Sequence, residues 1–248
     1  MINPFSLEKK TILIAGATAG IGRATAVQCV AMGADVILIG RNESSMANLI
    51  PELGPEKAKG FIVDLTSEDS VKQIVPMLPR LDGVVCNAGS VFSLVTRHIE
   101  SEDMESLFKT NTFSHIKLIQ LLLEHKKMNK DASIVLTSSM SGVYCGIVGG
   151  GLYGATKSAL VGFSKALALE LAPRGIRVNT IHPGMVETSL CEKTAISTDI
   201  FFEDAKNYPL GRYGKPEEIA YAIVFLLSDA TKWMTGSQLL IDGGYCIK

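Results

Sequence analysis

The stretch Thr11-Ile12-Leu13-Ile14-Ala15-Gly16-Ala17-Thr18-Ala19-Gly20-Ile21-Gly22-Arg23 decides how the rest of the chain is read. A short β-branched, apolar run leads straight into three glycines, and a helix-length segment follows. Glycine permits a sharp turn and lets another group press against the backbone. At a helix N-terminus, free N–H groups and the helix dipole attract anions, so a strand, a glycine loop and a helix in this order make a pyrophosphate cradle. The spacing is G-x-x-x-G-x-G, whereas the commoner fingerprint is G-x-G-x-x-G. A tight β–α turn with no ligand would also use glycine. The location between first strand and first helix is what favours a dinucleotide, held by Gly16, Thr18, Ala19, Gly20, Ile21 and Gly22.

Outward from this loop, β-branched runs alternate with helix-length segments to the end of the chain. Strands are predicted near residues 11–15, 35–39, 58–63, 83–86, 133–137, 177–181 and 238–241. Helices are predicted near 20–32, 44–53, 67–78, 101–128 (broken near Asn111), 153–172 and 216–228. Such alternation means a parallel sheet with right-handed crossover helices, a doubly wound α/β fold. No repeat, low-complexity tract or Pro/Ser-rich linker divides the chain, so residues 1–248 read as one domain. Residues 187–213 contain no clear element but include Phe201 and Phe202. Long loops in compact domains are commonly functional, so this one is expected to cover the substrate; a packing or subunit-contact excursion is the alternative.

Composition narrows the function. The 248 residues are 47% hydrophobic and 20% charged, with a formal net charge of −1. Nothing in that balance favours nucleic acid or an anionic membrane as partner. Cys29, Cys86, Cys145, Cys191 and Cys246 are odd in number and unpaired in spacing, which suits a reducing compartment. No metal-ligand spacing occurs, and the first ten residues carry no apolar signal run. A cytoplasmic protein without a metal is expected.

Two further sites carry chemistry. The second strand ends at Gly40-Arg41, where dinucleotide folds commonly place an acid on the ribose 2′-hydroxyl. Glycine followed by a planar, permanently charged guanidinium suits a 2′-phosphate instead, so NADP(H) is favoured over NAD(H). In Tyr153-Gly154-Ala155-Thr156-Lys157, tyrosine and lysine lie one helical turn apart on one face. A free tyrosine titrates near ~10 and is a poor proton carrier at neutral pH. A neighbouring ammonium would favour the phenolate. Most such pairs are plain helix surface, and this one gains meaning from its company.

That company is Thr137-Ser138-Ser139-Met140-Ser141-Gly142 upstream, Cys86-Asn87-Ala88-Gly89 and Asn111 further back, and His182-Pro183-Gly184 downstream. In order and approximate spacing, these motifs resemble the short-chain dehydrogenase/reductase family, in its branch of about 250 residues, over the whole chain. The resemblance implies a Rossmann-like sheet of seven mainly parallel strands in the order 3-2-1-4-5-6-7. It implies Tyr153 as general acid and base, Lys157 as its modulator and as a nicotinamide-ribose ligand, and Ser139 at the substrate oxygen. Asn111 would anchor a water linking Lys157 to solvent. Asn87, Ala88 and Gly89 would pack beside the cofactor, Asp64 and Leu65 would lie at the adenine, and Pro183, Gly184, Val186 and Thr188 would hold the carboxamide end.

Three positions depart from the family pattern. Ala15 stands where a threonine is usual, and Ala19 where many NADP-using members carry a basic residue. The interval from Ser139 to Tyr153 is one residue longer than the common spacing, which leaves Ser138 and Ser141 open as alternatives. The layout is similar to that of 3-oxoacyl-[acyl-carrier-protein] reductases, with Lys126, Lys127 and Arg174 as a basic rim for the carrier protein. Sugar, steroid and small-alcohol dehydrogenases share the layout. Epimerase and dehydratase relatives are longer and use another glycine loop. A catalytically silent cofactor sensor would commonly have lost the tyrosine or the lysine. Family members form homotetramers, and Leu118, Leu121, Leu122, Val161 and Leu167, with Trp233 nearby, are the apolar positions expected at the contacts.

Overall fold

β1 (Thr11–Ala15) pairs with β2 (Asp35–Gly40) on one side and β4 (Leu81–Cys86) on the other in a computed structural model that describes residues 3–188 and 204–248. Successive side chains of a strand point to opposite faces. Ile12 and Ile14 therefore enter one apolar cluster, with residues of α1 (Gly20–Ala31), α2 (Glu43–Leu53) and α7 (Pro216–Leu227). Leu13 and Ala15 enter another, with residues of α3 (Glu68–Ile74), α5 (Ser114–Glu124) and α6 (Gly151–Leu171). With both faces covered, a strand can be apolar at consecutive positions.

β3 (Ala58–Ile62), β5 (Met128–Thr137), β6 (Arg177–Pro183) and β7 (Gln238–Ile241) complete a seven-stranded sheet in the order β3-β2-β1-β4-β5-β6-β7. Every pairing is parallel. The chain builds outward from β1 to β3 and then returns to build from β4 in the opposite direction. At that switch a crevice opens beyond the carboxyl ends of β1 and β4, the usual ligand position in open α/β sheets. No helix among the described residues is long and apolar enough to cross a membrane.

Several boundaries differ from the sequence expectation. The helix expected over 101–128 is α4 (Ser101–Phe108), a π-helical turn Lys109–Phe113 containing Asn111, and α5, which stops at Glu124. β5 begins at Met128 rather than near 133. Its first half, Asn129-Lys130-Asp131, is polar, and it bulges: Met128 pairs with Leu81, but Ser133 pairs with Gly83. Asp131 takes φ +61° within this bulge. The helix expected over 67–78 ends at Ile74 and continues as a 3₁₀ turn, Val75–Met77, containing Pro76.

Two groupings suggested by the sequence are redrawn. Lys127 Nζ donates to the carbonyls of Pro76 (2.7 Å) and Leu78 (2.6 Å), and Arg174 Nη2 to that of Met128 (2.7 Å). Lys126, Lys127 and Arg174 thus lie where β4, β5 and β6 begin, at the opposite end of the sheet from the crevice, and form no rim around it. Leu118, Leu121, Leu122, Val161 and Leu167 are buried within this chain and cannot form a subunit contact. The apolar side chains exposed on or near those helices are Phe113, Leu169 and Trp233.

Of the excursion expected over 187–213, residues 189–203, with Phe201 and Phe202, lie outside the described residues. Its two ends are pinned together. Glu187 N donates to Gly214 O (2.9 Å) and Gly214 N to Met185 O (3.0 Å), beside the crevice.

Candidate active site

The glycine loop is packed against the end of β4. Gly16 adopts φ +82°, and a Cβ there would come within 2.6 Å of Ala88 N. A Cβ on Gly22 would run into the Gly16 carbonyl oxygen. Asn87 and Ala88 both donate their backbone N–H to Ala15 O, and Asn87 Nδ2 donates to Gly16 O (3.3 Å). α1 begins at Gly20 with no side-chain cap and no acid in its first turn. Its first N–H groups therefore face the crevice beside a backbone without side chains, the environment an anionic pyrophosphate requires.

Gly40 ends β2 directly over this loop, where an added Cβ would meet Thr18 Cγ2 at 2.7 Å. An acid at position 40 would collide with Thr18, which gives the missing carboxylate a steric reason. Arg41 lines the crevice next to it, as do Asp64 and Leu65. Burial works to raise Asp64, but hydrogen bonds from the Thr66 N–H (2.9 Å) and hydroxyl (2.8 Å), with the charge of Arg41, hold it below the ordinary carboxylate value. The crevice end that would take an adenosine thus presents one fixed anion and one cation.

At the other end, α6 brings Tyr153 and Lys157 to the crevice wall. Lys157 is almost wholly buried, and its Nζ donates to Thr137 O (2.9 Å) and lies 6.0 Å from the centre of the Tyr153 ring. Burial pushes the ammonium down to about 8, with the Cys86 thiol acting weakly the other way. The plain-surface reading of this pair therefore fails: a lysine held in so apolar a place needs a reason beyond solvation.

The three serines divide by partner. All three line the crevice, and Ser138 donates its hydroxyl to Lys157 O (2.9 Å). Ser139 lines the crevice and accepts from Ser141 N (3.1 Å), which leaves its own hydroxyl proton to donate. Ser141 packs beside Gly154 at the start of α6.

Asn111 is completely buried and does not line the crevice. Its Oδ1 accepts from Ser90 N (2.8 Å), while Nδ2 donates to Ser90 O (2.9 Å) and Thr156 Oγ1 (3.1 Å). The side chain ties the loop after β4 to α6. Gly89 lies between: a Cβ there would stand 3.2 Å from Asn111 Oδ1 and 3.3 Å from Lys157 Nζ. Pro183, Gly184, Val186 and Thr188 lie at the end of β6 on the same crevice, whose volume is about 1000 Å³.

Two histidines acquire a part that their sequence context did not suggest. His182, which opens the His182-Pro183-Gly184 motif, pairs its Nδ1 with Ser139 O (3.0 Å) and its Nε2 with Thr180 Oγ1 (2.7 Å). Burial holds it below its ordinary value, so the neutral ring donates from Nδ1 and steadies Ser139. His115 pairs Nε2 with Ala88 O (2.7 Å) and is pushed down to about 4 by burial, with the Lys157 charge adding to the effect. Ser139 O and Ala88 O are backbone carbonyls, for which spacing in sequence gives no signal.

A dinucleotide cradle that ends in a buried lysine and a tyrosine defines a nicotinamide-dependent oxidoreductase working between carbonyl and alcohol. The comparisons agree. The family profile described as "Enoyl-(Acyl carrier protein) reductase" matches residues 16–246. The chain is 35% identical to the 3-oxoacyl-[acyl-carrier-protein] reductase FabG of Thermotoga maritima, over 97% of this chain and 99% of that one. It is 33% identical to the FabG of Salmonella typhimurium, over 96% and 98%. Among solved structures, a short-chain type dehydrogenase/reductase from Mycobacterium marinum superposes with a TM-score of 0.87 at 33% identity, covering 98% of this chain and 97% of that one. A Beutenbergia cavernae protein assigned as an NAD(P)-dependent gluconate 5-dehydrogenase, with NADP bound at low occupancy, superposes at 0.90 with 29% identity, covering 99% and 100%. The chain belongs to the short-chain dehydrogenase/reductase family and is an enzyme of its carbonyl–alcohol oxidoreductase type.

Proposed function

We propose that this enzyme is an NADP(H)-dependent reductase of 3-oxoacyl thioesters carried on acyl carrier protein. The observation that carries the reading is Ser139, Tyr153 and buried Lys157 together at one end of a crevice whose other end holds Arg41 beside Gly40. The bound cofactor would supply the hydride. Tyr153 holds the proton delivered to the substrate oxygen, and the Ser139 hydroxyl hydrogen-bonds the same oxygen, favouring the charge that develops there. Lys157, anchored on Thr137 O, keeps a positive charge beside the phenol and favours its ionised form. It is also the residue that would reach the nicotinamide ribose. Asn111 holds the loop that carries Gly89 and Ser90 against α6, and so keeps Lys157 in register with the cradle.

Two arguments support the substrate class. Relatives named as 3-oxoacyl-[acyl-carrier-protein] reductases align over nearly their full lengths. Near Tyr153 the crevice is lined by Val91, Phe92, Met140, Ile147 and Met185, interspersed with Ser90, Ser93 and Ser141. An acyl chain would find apolar contacts along that wall. We further infer a homotetramer of the family type and a cytoplasmic location, which suits cysteines without a disulfide framework.

The reading is tested by NADPH oxidation with a 3-oxoacyl thioester and with a keto sugar acid. Preference for the sugar acid would overturn the substrate assignment. By calorimetry, NADPH should bind at least about tenfold tighter than NADH, a gap of roughly 1.4 kcal/mol. Arg41→Ala should remove most of that gap and leave NADH binding nearly unchanged. Equal affinities in the native protein would overturn the cofactor assignment.

A further inference from the structure

Cys145 and Cys246 are a hundred residues apart in the chain and pack together at the substrate end of the crevice. Both join the cluster of Met140, Tyr208 and Tyr213, and Met140 itself lines the crevice. Cys145 belongs to the loop between Ser139 and Tyr153, folded back so that its N–H and its thiol both face Met140 O (3.2 and 3.8 Å). The next side chain back, Tyr144, sets its ring edge-on to His182 at 5.2 Å, and His182 holds Ser139. Cys246 belongs to the C-terminal turn Tyr245–Ile247, which the Asp242 carboxylate fastens by accepting from Gly244 N (2.9 Å) and Cys246 N (2.8 Å). The Cys246 thiol interacts with both the Asp242 carboxylate and the Cys145 thiol. Neither sulfur is bonded to another, and both residues are half-buried.

We propose that Cys145 and Cys246 form a redox pair, which a hydroperoxide converts to a disulfide that ties the loop after Ser139 to the C-terminal turn and slows turnover. Cys29 and Cys86 are poor candidates: complete burial pushes both up to about 12, where thiolate chemistry is suppressed. Cys246 is also held as a thiol, pushed up to about 12 by burial and by its hydrogen bonds to Asp242 and Cys145. The first attack is assigned to Cys145, whose thiol faces the Met140 carbonyl in the loop that follows Ser139. Its thiolate takes the distal oxygen of the hydroperoxide, giving a sulfenic acid and releasing an alcohol. The Cys246 sulfur then attacks that sulfenic sulfur, and the hydroxide that leaves takes the Cys246 proton and departs as water. Two thiols lose two electrons and two protons, and one hydroperoxide becomes one alcohol and one water. A thiol reductant reverses the link by exchange. In a reducing compartment such a bond is transient, as regulatory disulfides are.

The test uses the full chain treated with tert-butyl hydroperoxide, alkylated and digested with trypsin without reduction. Residues 131–157 and 233–248 should be recovered as one linked peptide that dithiothreitol separates. Turnover with the best carbonyl substrate should fall at least about threefold, as expected when a loop beside the site is fixed, and return on reduction. Cys145→Ser and Cys246→Ser should each abolish the link and protect the oxidised enzyme's rate. Peptides recovered unlinked, or linked instead through Cys191 in residues 178–193, would overturn the pairing. A complete link with unchanged turnover would overturn its effect on catalysis. The peptide readout is independent of the substrate, so its failure is distinct from failure of the proposed function.

Discussion

At the residue scale, Tyr153, Ser139 and Lys157 separate chemistry from packing. Tyr153→Phe removes one oxygen and keeps the ring, so the fold and NADPH binding should persist while turnover drops by about 10²–10⁴-fold. Near-native turnover in that variant, on any accepted carbonyl, would remove Tyr153 from the reaction. Ser139→Ala should lower turnover more than Ser138→Ala, because the Ser138 hydroxyl is directed at Lys157 O. Lys157 leaves its own signature in stability. Burial lowers its value from 10.5 to about 8 in the folded protein. Between those values the unfolded chain still binds the proton that the folded chain has released, so unfolding free energy gains a rising contribution with pH. Below about 8 both states bind the proton and the buried charge carries its full cost. Lys157→Met lacks this term. In cofactor-free samples, the stability of the native protein relative to that variant should therefore rise from pH 8 towards 10.5. A flat difference in denaturant titrations across that window would contradict the burial of its charge.

At the element scale, the C-terminal end of α7 depends on a charge from another strand. Arg177, the first residue of β6, is buried and donates from Nη1 to Leu226 O (2.9 Å) and Thr231 Oγ1 (2.7 Å), and from Nη2 to Ser228 O (3.1 Å). A cation at a helix C-terminus satisfies otherwise unpaired carbonyls and complements the helix dipole. Burial holds the guanidinium below its ordinary value, with the Asp229 charge partly offsetting this. Arg177→Ala should cost about 2–4 kcal/mol of unfolding free energy, since it deletes three buried charge-assisted hydrogen bonds and leaves a cavity. A shift of the urea midpoint too small to detect would show that α7 is held by packing alone. The strand and helix types were legible from apolar periodicity and turn residues. The polar first half of β5 was not, because its pairing to Leu81 passes through a bulge set by β4 rather than by its own alternation. The π turn at Asn111 was legible only as a break.

At the scale of the whole molecule, the surface left by folding determines how copies can associate. The leucines expected at the subunit contacts are consumed by the monomer core, and the exposed candidates are Phe113 at the end of the π turn, Leu169 on α6 and Trp233 before β7. Trp233 is fully exposed, and large exposed apolar side chains that cluster mark association sites. A closed assembly with two-fold axes should bury them. Light scattering at micromolar concentration should give the mass of four chains, and Leu169→Glu together with Trp233→Glu should shift it to smaller species. A native protein that is monomeric under those conditions would refute the assembly.

The sequence by itself determined the fold class, the strand count, the place of the dinucleotide loop and the pairing of Tyr153 with Lys157. Each of these rests on local rules, either periodicity in twos and in 3.6 or glycine at a turn, so a short window of residues carries them. Only the tertiary structure decided the rest. It gave Ser138 and Ser139 different hydrogen-bond partners, tied His182 to Ser139 O and His115 to Ala88 O, and removed Lys126, Lys127 and Arg174 to the far end of the sheet. It also brought Cys145 to Cys246. Those relations depend on which segments a seven-stranded parallel sheet lays side by side, and on which end of a strand a residue occupies. Burial completed the division by pushing Lys157 down to about 8, because desolvation is a property of everything packed around a group and not of its neighbours in the chain.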